Sequence, residues 1–400
     1  MKEKRKKLLV RVFGSDKPGI TSRLTSIIST HSLQILDLGQ SVTQGLLSLS
    51  LLVSFDEQTS LEEVEKDLLL AAKNLDINIE YKSLDNSEEL QKSYSQNFVI
   101  SSVHPQRIRS TFLAKLTKLC ASQNLNIISI ENKSKKEKMT SLDLKLGTND
   151  IFDYEALKKK IIELSLEFST DIAILRDNVF RYNKRLIIFD MDSTLIKCEV
   201  IEELSKLAGS HAEVKKITDL AMNGKIDFTE SLRRRVSTLK GVSLKDCKTI
   251  TDKIVLNDGV EDFIQIVKSL GYKTGVISGG FTLFTEYFKE KLKLDYAFAN
   301  QLEIDANDLL TGGLKGTIVD ANQKAMLLDL IAQQESVSLE QVVAIGDGAN
   351  DLPMLSKAGM GIAFHAKQIV KDQAGHQMSH GPMTSILSFL GIPEGYTPAG

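Results

Sequence analysis

The sequence predicts two small α+β domains in tandem, followed by an α/β domain with a parallel sheet. Three observations predict it. Residues 1–180 run twice through the order strand, helix, strand, strand, helix, strand, and repetition on that scale means two copies of one antiparallel sheet covered by two helices. From Lys184 onward short continuous apolar runs alternate with stretches of helical spacing, as in strands buried on both faces of a parallel sheet. A chain of 400 residues also exceeds what one core organises. The expected domains are 1–84, 97–180 and 184–392, with a stretch of predominantly helical spacing at about 199–256.

In the first copy Leu8–Phe13 reads as a strand, Gly14–Gly19 as a turn, and Ile20–Thr30 as a helix with apolar residues at Ile20, Leu24, Ile27 and Ile28. Leu33–Val42 and Leu46–Phe55 are strands joined around Gly45, Leu61–Lys73 is helical, and Ile77–Tyr81 closes the copy. A polar linker, Asp85–Gln96, leads to the second copy: Phe98–Val103, Arg107–Ser122, Asn126–Glu131, Thr140–Leu146, Tyr154–Phe168 and Asp171–Leu175. The basic run Lys133–Lys138 lacks interleaved aromatics and reads as a solvated hairpin tip. In the third part the apolar runs are Leu186–Phe189, Thr274–Ile277, Val342–Ile345 and Gly361–Phe364, with a helical stretch at Asn322–Ile331 and a tail at Pro393–Gly400.

The bulk numbers exclude several partners. A net charge of -2, with 42% hydrophobic and 26% charged residues, offers no electrostatic footprint for nucleic acid or an anionic membrane. The apolar run behind the basic first residues stops at Gly14, too short for a signal core or a span, so a cytoplasmic protein is expected. Cys120, Cys198 and Cys247 are odd in number and widely spaced, which fits a reducing compartment and neither a disulfide framework nor a zinc site.

The residues just beyond each apolar run carry the chemistry, because open parallel sheets bind ligands outside the carboxyl ends of their strands. Asp190-Met191-Asp192-Ser193-Thr194 comes after the first, Ser278-Gly279-Gly280 after the second and Gly346-Asp347-Gly348-Ala349-Asn350-Asp351 after the third, with Lys324 between the last two. Phosphate ester hydrolysis needs these parts. A carboxylate, Asp190, can attack phosphorus and divide one hard displacement into two. Asp192, two residues on, suits general acid and then general base. Asp190 and Asp347, with the backbone carbonyl of Asp192, form an oxygen set for Mg²⁺, and Asp351 supports it. Ser278, the Gly279 N–H and Lys324 hold the transferring group, and Asn350 orients it.

This constellation is similar to the haloacid dehalogenase superfamily, whose DxDxT, Ser/Thr, Lys and GDxxxD motifs match Asp190–Thr194, Ser278, Lys324 and Gly346–Asp351. That resemblance implies a Rossmann-like core with a helical cap inserted after its first strand, at about 199–256, and there Glu199–Leu204, Lys215–Thr218, Ala221–Lys225 and Ser231–Val236 resemble the phosphoserine phosphatase family. That resemblance implies hydrolysis of O-phospho-L-serine, with Glu199 facing the substrate ammonium, Arg235 its carboxylate, and Met222 and Phe228 closing an apolar lid. Two other readings stay open: a related phosphatase or phosphotransferase for another small phosphorylated amine or acid, and a regulatory protein with an idle phosphatase fold. Around Gly14-Ser15-Asp16-Lys17-Pro18-Gly19-Ile20 the first copy resembles the ACT domain. The resemblance implies an amino-acid effector, serine, near Gly14, Asp16 and Gly19, and a homodimer; a plain tight turn explains the same glycines. The second copy has Ser102-Val103-His104-Pro105-Gln106-Arg107-Ile108 there, without either glycine. His365, after the last run, is within reach of the same rim, while His376 and His380 read as surface or tail residues.

Overall fold

Alternating apolar residues build the first sheet. Leu8, Val10 and Val12 on β1 (Lys6–Ser15) face inward, and α1 (Ile20–Thr30) lays Ile20, Leu24, Ile27 and Ile28 over them. After β2 (Gln34–Thr43), β3 (Leu46–Phe55) buries Leu47, Leu49, Leu51 and Val53, α2 (Leu61–Leu75) adds Val64, Leu68, Ala71 and Ala72, and β4 (Ile77–Leu84) ends the copy. The strands pair antiparallel in the order β2-β3-β1-β4. Each buried aliphatic side chain contributes about 1.5–3 kcal/mol, enough in sum to hold a small core. Edge strand β2 is exposed along its whole length, including Ile35, Leu36, Leu38 and Val42.

The second copy repeats the plan: β5 (Gln96–Val103), α3 (Ser110–Ser122), β6 (Asn126–Asn132), β7 (Ser141–Thr148), α4 (Tyr154–Phe168) and β8 (Asp171–Arg176), in the sheet order β6-β7-β5-β8. Its first helix begins at Ser110, three residues later than the apolar spacing predicts. The reason is His104, whose Nδ1 accepts the backbone N–H of Gln106 at 3.0 Å and of Arg107 at 2.9 Å and so holds that stretch as a turn.

The α/β part comes next. β9 (Leu186–Phe189) leads into the cap helices α5 (Val200–Leu207), α6 (His211–Met222), α7 (Phe228–Ser237) and α8 (Leu244–Thr251). The chain returns through a bridge of Ile196 with Leu256 to α9 (Val260–Ser269), β10 (Lys273–Phe281), α10 (Thr282–Leu292), β11 (Tyr296–Ile304), β12 (Leu310–Lys315) and α11 (Ala321–Gln334). Then come β13 (Val342–Gly346), α12 (Leu352–Lys357), β14 (Met360–Phe364), α13 (Gln368–Gln373), β15 (His376–Met378) and α14 (Ile386–Phe389). The sheet order is β12-β11-β10-β9-β13-β14-β15, parallel except for β12. All four residues of β9 are buried, with Leu186 and Ile188 in one core cluster and Ile187 and Phe189 in the other, as a strand covered on both faces requires.

The computed structural model describes residues 6–56, 59–84, 94–134, 140–151, 153–393 and 395–397. Most of the linker, the basic run beyond Ser134, and residues 394 and 398–400 of the tail lie outside these. The chain divides into two compact units, Met1–Ser93 and Tyr94–Gly400, so the second copy goes with the α/β part. Val103, Ala173 and Leu175 on its sheet belong to the same apolar cluster as β9 and α9. Buried Asp171 accepts backbone N–H groups from Ser379 at 2.6 Å, Gly381 at 2.9 Å and His380 at 3.2 Å. Among the described residues no helix is long and apolar enough to cross a membrane.

Candidate active site

The direction in which the sheet grows reverses at β9. From it the chain builds outward through β10 and β11 on one side and through β13, β14 and β15 on the other. Such a reversal opens a crevice at the carboxyl end of the central strand, and Asp190 stands there, 4% exposed, its N–H donating to Ile345 O at 2.8 Å.

The chain beyond it turns tightly. Met191 O accepts the N–H groups of Leu195 and Ile196 at 2.9 and 3.1 Å, Ser193 takes a left-handed φ of 57°, and Asn257 Nδ2 donates to the carbonyls of Ser193 and Thr194 at 2.9 and 2.8 Å. Asp192 is fixed at both oxygens, accepting Val200 N–H at 2.8 Å and the Ser278 hydroxyl at 3.2 Å. Ser278-Gly279-Gly280 is an irregularity inside β10 rather than a turn after it: pairing with β11 jumps from Ile277–Phe298 to Phe281–Asn300. Bulges of this kind re-aim a strand's groups at a site. Ser278 Oγ accepts Gly280 N–H at 2.8 Å. Asn300, 2% exposed, holds the bulge by donating from Nδ2 to Gly279 O and accepting Val319 N–H, both at 2.8 Å.

Lys324 lies in the first turn of α11, whose N-cap Asp320 accepts Gln323 N–H. Its ammonium is fully buried and bridges Asp190 Oδ1 at 2.6 Å and Asp351 Oδ1 at 2.7 Å. The other oxygen of Asp351 accepts Gly348 N–H at 2.9 Å. Asp347 receives the Thr194 hydroxyl at 2.9 Å. One lysine thus faces several carboxylates, and the proton affinities reflect it. Burial, then repulsion from Asp351, holds the Asp190 carboxyl well above its usual range even against Lys324. Burial and Glu199 push Asp192 to about 8, burial and Asp351 push Asp347 to about 7, and the two anions raise Lys324 against the effect of its own burial.

The cap contributes unequally. Glu199 opens on the cleft at the N-cap of α5 and accepts the Ser193 hydroxyl at 3.1 Å; the surrounding protein desolvates its carboxyl and raises its pKa. Half-buried Arg235 lies in its electrostatic range, the two opposing each other's desolvation. The Phe228 ring covers the bulge, so close that a Cβ on Gly279 would lie 3.1 Å from its Cζ. Met222 ends α6, and its side chain lies outside the described residues. Asn350 sits in the 3-10 turn Ala349–Asp351 at the end of β13.

Several other residues stand elsewhere. His365 Nε2 meets Gly381 O at 3.0 Å and its ring packs on Phe364, a structural use. His376 and His380 are not the free surface residues that their place near the chain end predicts: both are only partly exposed, and His376 Nδ1 and His380 Nε2 are enclosed because β15 and the loop after it pack against β8. In the first copy Gly14 lies within β1, where a Cβ would meet Ile77 Cγ2 at 3.0 Å, and Gly19 caps α1 at a φ of 96°. Exposed Asp16 donates its N–H to Gly45 O at 2.8 Å. Asn257 and Asn300 shape the site in ways the sequence alone does not reveal. Thr194 carries a signal, its place in the five-residue run after β9. The two asparagines follow no spacing that marks them.

Comparison with known proteins adds three kinds of finding. Residues 184–359 match the haloacid dehalogenase-like hydrolase family and residues 6–82 an ACT domain. The phosphoserine phosphatase of Mycobacterium tuberculosis is 35% identical over 97% of this chain and 94% of its own length, and that of Methanocaldococcus jannaschii is 44% identical over 52% of this chain and 98% of its own. Among solved structures, a HAD family hydrolase from Salmonella enterica serovar Typhi is 32% identical with a TM-score of 0.65, covering 75% of this chain and 99% of that one.

Proposed function

Since the chain belongs to the phosphoserine phosphatases among the haloacid dehalogenase-like hydrolases, we propose that it hydrolyses O-phospho-L-serine to L-serine and phosphate with Asp190 as nucleophile. The observation that carries this reading is the pairing at the end of β9: Asp190 bound to Lys324, with Asp192 held by Val200 N–H and Ser278 two residues on. An Asp190 oxygen attacks phosphorus and the bond to the serine oxygen breaks. Asp192, whose carboxyl is held above the usual range by burial and Glu199, delivers its proton to that oxygen. The aspartyl-phosphate is then attacked by water, Asp192 takes the water's proton, phosphate leaves and Asp190 is restored. Lys324, Ser278, the Gly279 N–H and Asn350 hold the phosphoryl oxygens throughout.

Mg²⁺ fits this carboxylate set. Asp190, Asp347 and Asp351 offer oxygens within 4.8 Å of one another, but both Asp351 oxygens are engaged by Lys324 and Gly348. Asp190 and Asp347, with the Asp192 carbonyl, are therefore the proposed ligands and Asp351 the support behind them. Bound there, the ion supplies charge neutralisation for the phosphoryl group and for the acidic cluster. Glu199 and Arg235 select a zwitterion, ammonium against carboxylate and carboxylate against guanidinium, and Phe228 with Met222 excludes water. For the first copy, the proposal extends to an amino-acid effector, the product serine, near Asp16 and Gly19, and to a homodimer formed over exposed β2.

A phosphate-release assay over phosphoserine, phosphothreonine and sugar phosphates tests the assignment. Phosphoserine is expected to be preferred, with activity lost on chelation and restored by Mg²⁺. Equal turnover of all substrates defeats the serine assignment, and full activity in chelator defeats the metal.

A further inference from the structure

A second polar cavity, of about 250 Å³, lies at the opposite end of the α/β sheet from Asp190, between the second repeat and the core. Its walls come from the end of β8, the connector after it, and the starts of β9, β14 and β15. Nothing in the phosphatase chemistry uses it.

Its polar wall consists mainly of donors. Lys184 is 6% exposed, and its ammonium has one hydrogen-bond partner, the Glu340 carbonyl at 2.5 Å, with no carboxylate partner among the described residues. A buried ammonium whose one hydrogen-bond partner is a carbonyl, with the exposed Glu340 carboxylate attracting it from farther off, is under-compensated. The guanidinium of Arg176, at the end of β8, has no ion-pair partner among the described residues either. Arg181 is paired with Asp143 at 2.6 Å, yet its buried Nε has no acceptor. His376 Nδ1 is likewise buried and unpartnered. Burial together with Lys184 and Lys158 lowers this ring to about 4, so it is neutral at physiological pH and can present an N–H. Asn178 turns its oxygen to Phe180 N–H, leaving its amide donors over. Against these donors Glu340 is the one acidic residue of the lining, and it is exposed.

Cations and N–H groups around a space of this size suit a small ligand with several acceptor atoms and negative charge. We propose that the cavity binds a phosphate-class oxyanion, held by Lys184 and Arg176, which fastens the second repeat to the catalytic core. A tetrahedral dianion matches the donor surplus better than a planar carboxylate, which has two oxygens to offer. The site is separate from the catalytic one and does not depend on the substrate assigned above.

Hydrogen exchange of the full-length protein, with inorganic phosphate against chloride of equal ionic strength, reads the two sites separately. With phosphate at ten times its Kd, amides of residues 176–186 and 358–360 are expected to exchange about tenfold more slowly where opening disrupts the cavity. In Arg176→Gln and Lys184→Met proteins that protection should vanish, while turnover and phosphate protection around residues 190–195 persist. Arg176 is exposed, so its substitution leaves the fold intact if Lys184→Met does not. Absence of slowing at 176–186 when 190–195 is protected overturns the proposal, as does protection that survives in Arg176→Gln and Lys184→Met alike. Acetate protecting these amides as well as phosphate does overturns the oxyanion class. Phosphoserine offered to an Asp190→Asn protein separates an ester from free phosphate, and protection by either upholds the shared chemistry.

Discussion

Asp190, Asp192, Asp347 and Asp351 crowd around one ammonium, so at the residue scale the site is electrostatically overloaded. The raised Asp190 and Asp347 carboxyls express that load. Asp190→Asn removes one negative charge while keeping a carbonyl oxygen for Lys324. The expected outcome is a loss of turnover of about 10³-fold or more, since an amide cannot form the aspartyl-phosphate, with a melting temperature equal to or above that of the parent. Phosphate release and a thermal melt check both parts. Turnover within about tenfold of the parent would show that another group attacks. Lys324 pairs with the nucleophile and Asp351 together, and among the described residues no cation pairs with Asp347.

At the scale of elements, the bulge in β10 decides how closely acid and phosphate loop approach. A Cβ at Gly280 would lie 2.7 Å from Asp192 Oδ2 and 3.0 Å from Ser278 Oγ, with Met191 Cε at 3.1 Å. Gly280→Ala is therefore expected to lower kcat about 10²-fold through displacement of Asp192, with KM changed far less because the cap contacts are untouched. Steady-state kinetics separate the two, and an unchanged kcat refutes the argument. The polar clusters after Leu186–Phe189, Thr274–Ile277 and Val342–Ile345 are legible in the sequence because doubly buried strands are continuous apolar runs with abrupt ends. β11, β12 and β15 are not: Tyr296–Ile304 is only partly buried and lacks such a run, and β15 has three residues. The roles of Asn257 and Asn300 depend on contacts between distant segments, which no local spacing encodes. The bulge itself reads as a turn in sequence because Gly-Gly ordinarily ends a strand; here the strand resumes at Phe281, fully buried.

At the scale of the whole molecule, every residue assigned to the catalytic site lies in the unit Tyr94–Gly400, which has its own cores. A fragment spanning 94–400 is expected to fold and to retain the kcat/KM of the full chain when no amino acid is added. A soluble, folded but inactive fragment would show that the first unit is needed for catalysis itself. Internal repetition is plain in the sequence, but not the different fates of the two copies. Strand alternation reveals one buried face, whereas burial of the opposite face by a partner element has no comparable signature. Asp171 illustrates the difference. Its carboxylate gathers three N–H groups from a segment more than 200 residues away, and in doing so converts a duplicated module into masonry under the enzyme. That copy has no turn glycines, and His104 closes the turn another way, through the N–H groups of Gln106 and Arg107. An unrelated domain grafted in its place would arrive without the acid that accepts the N–H groups of the loop at 379–381.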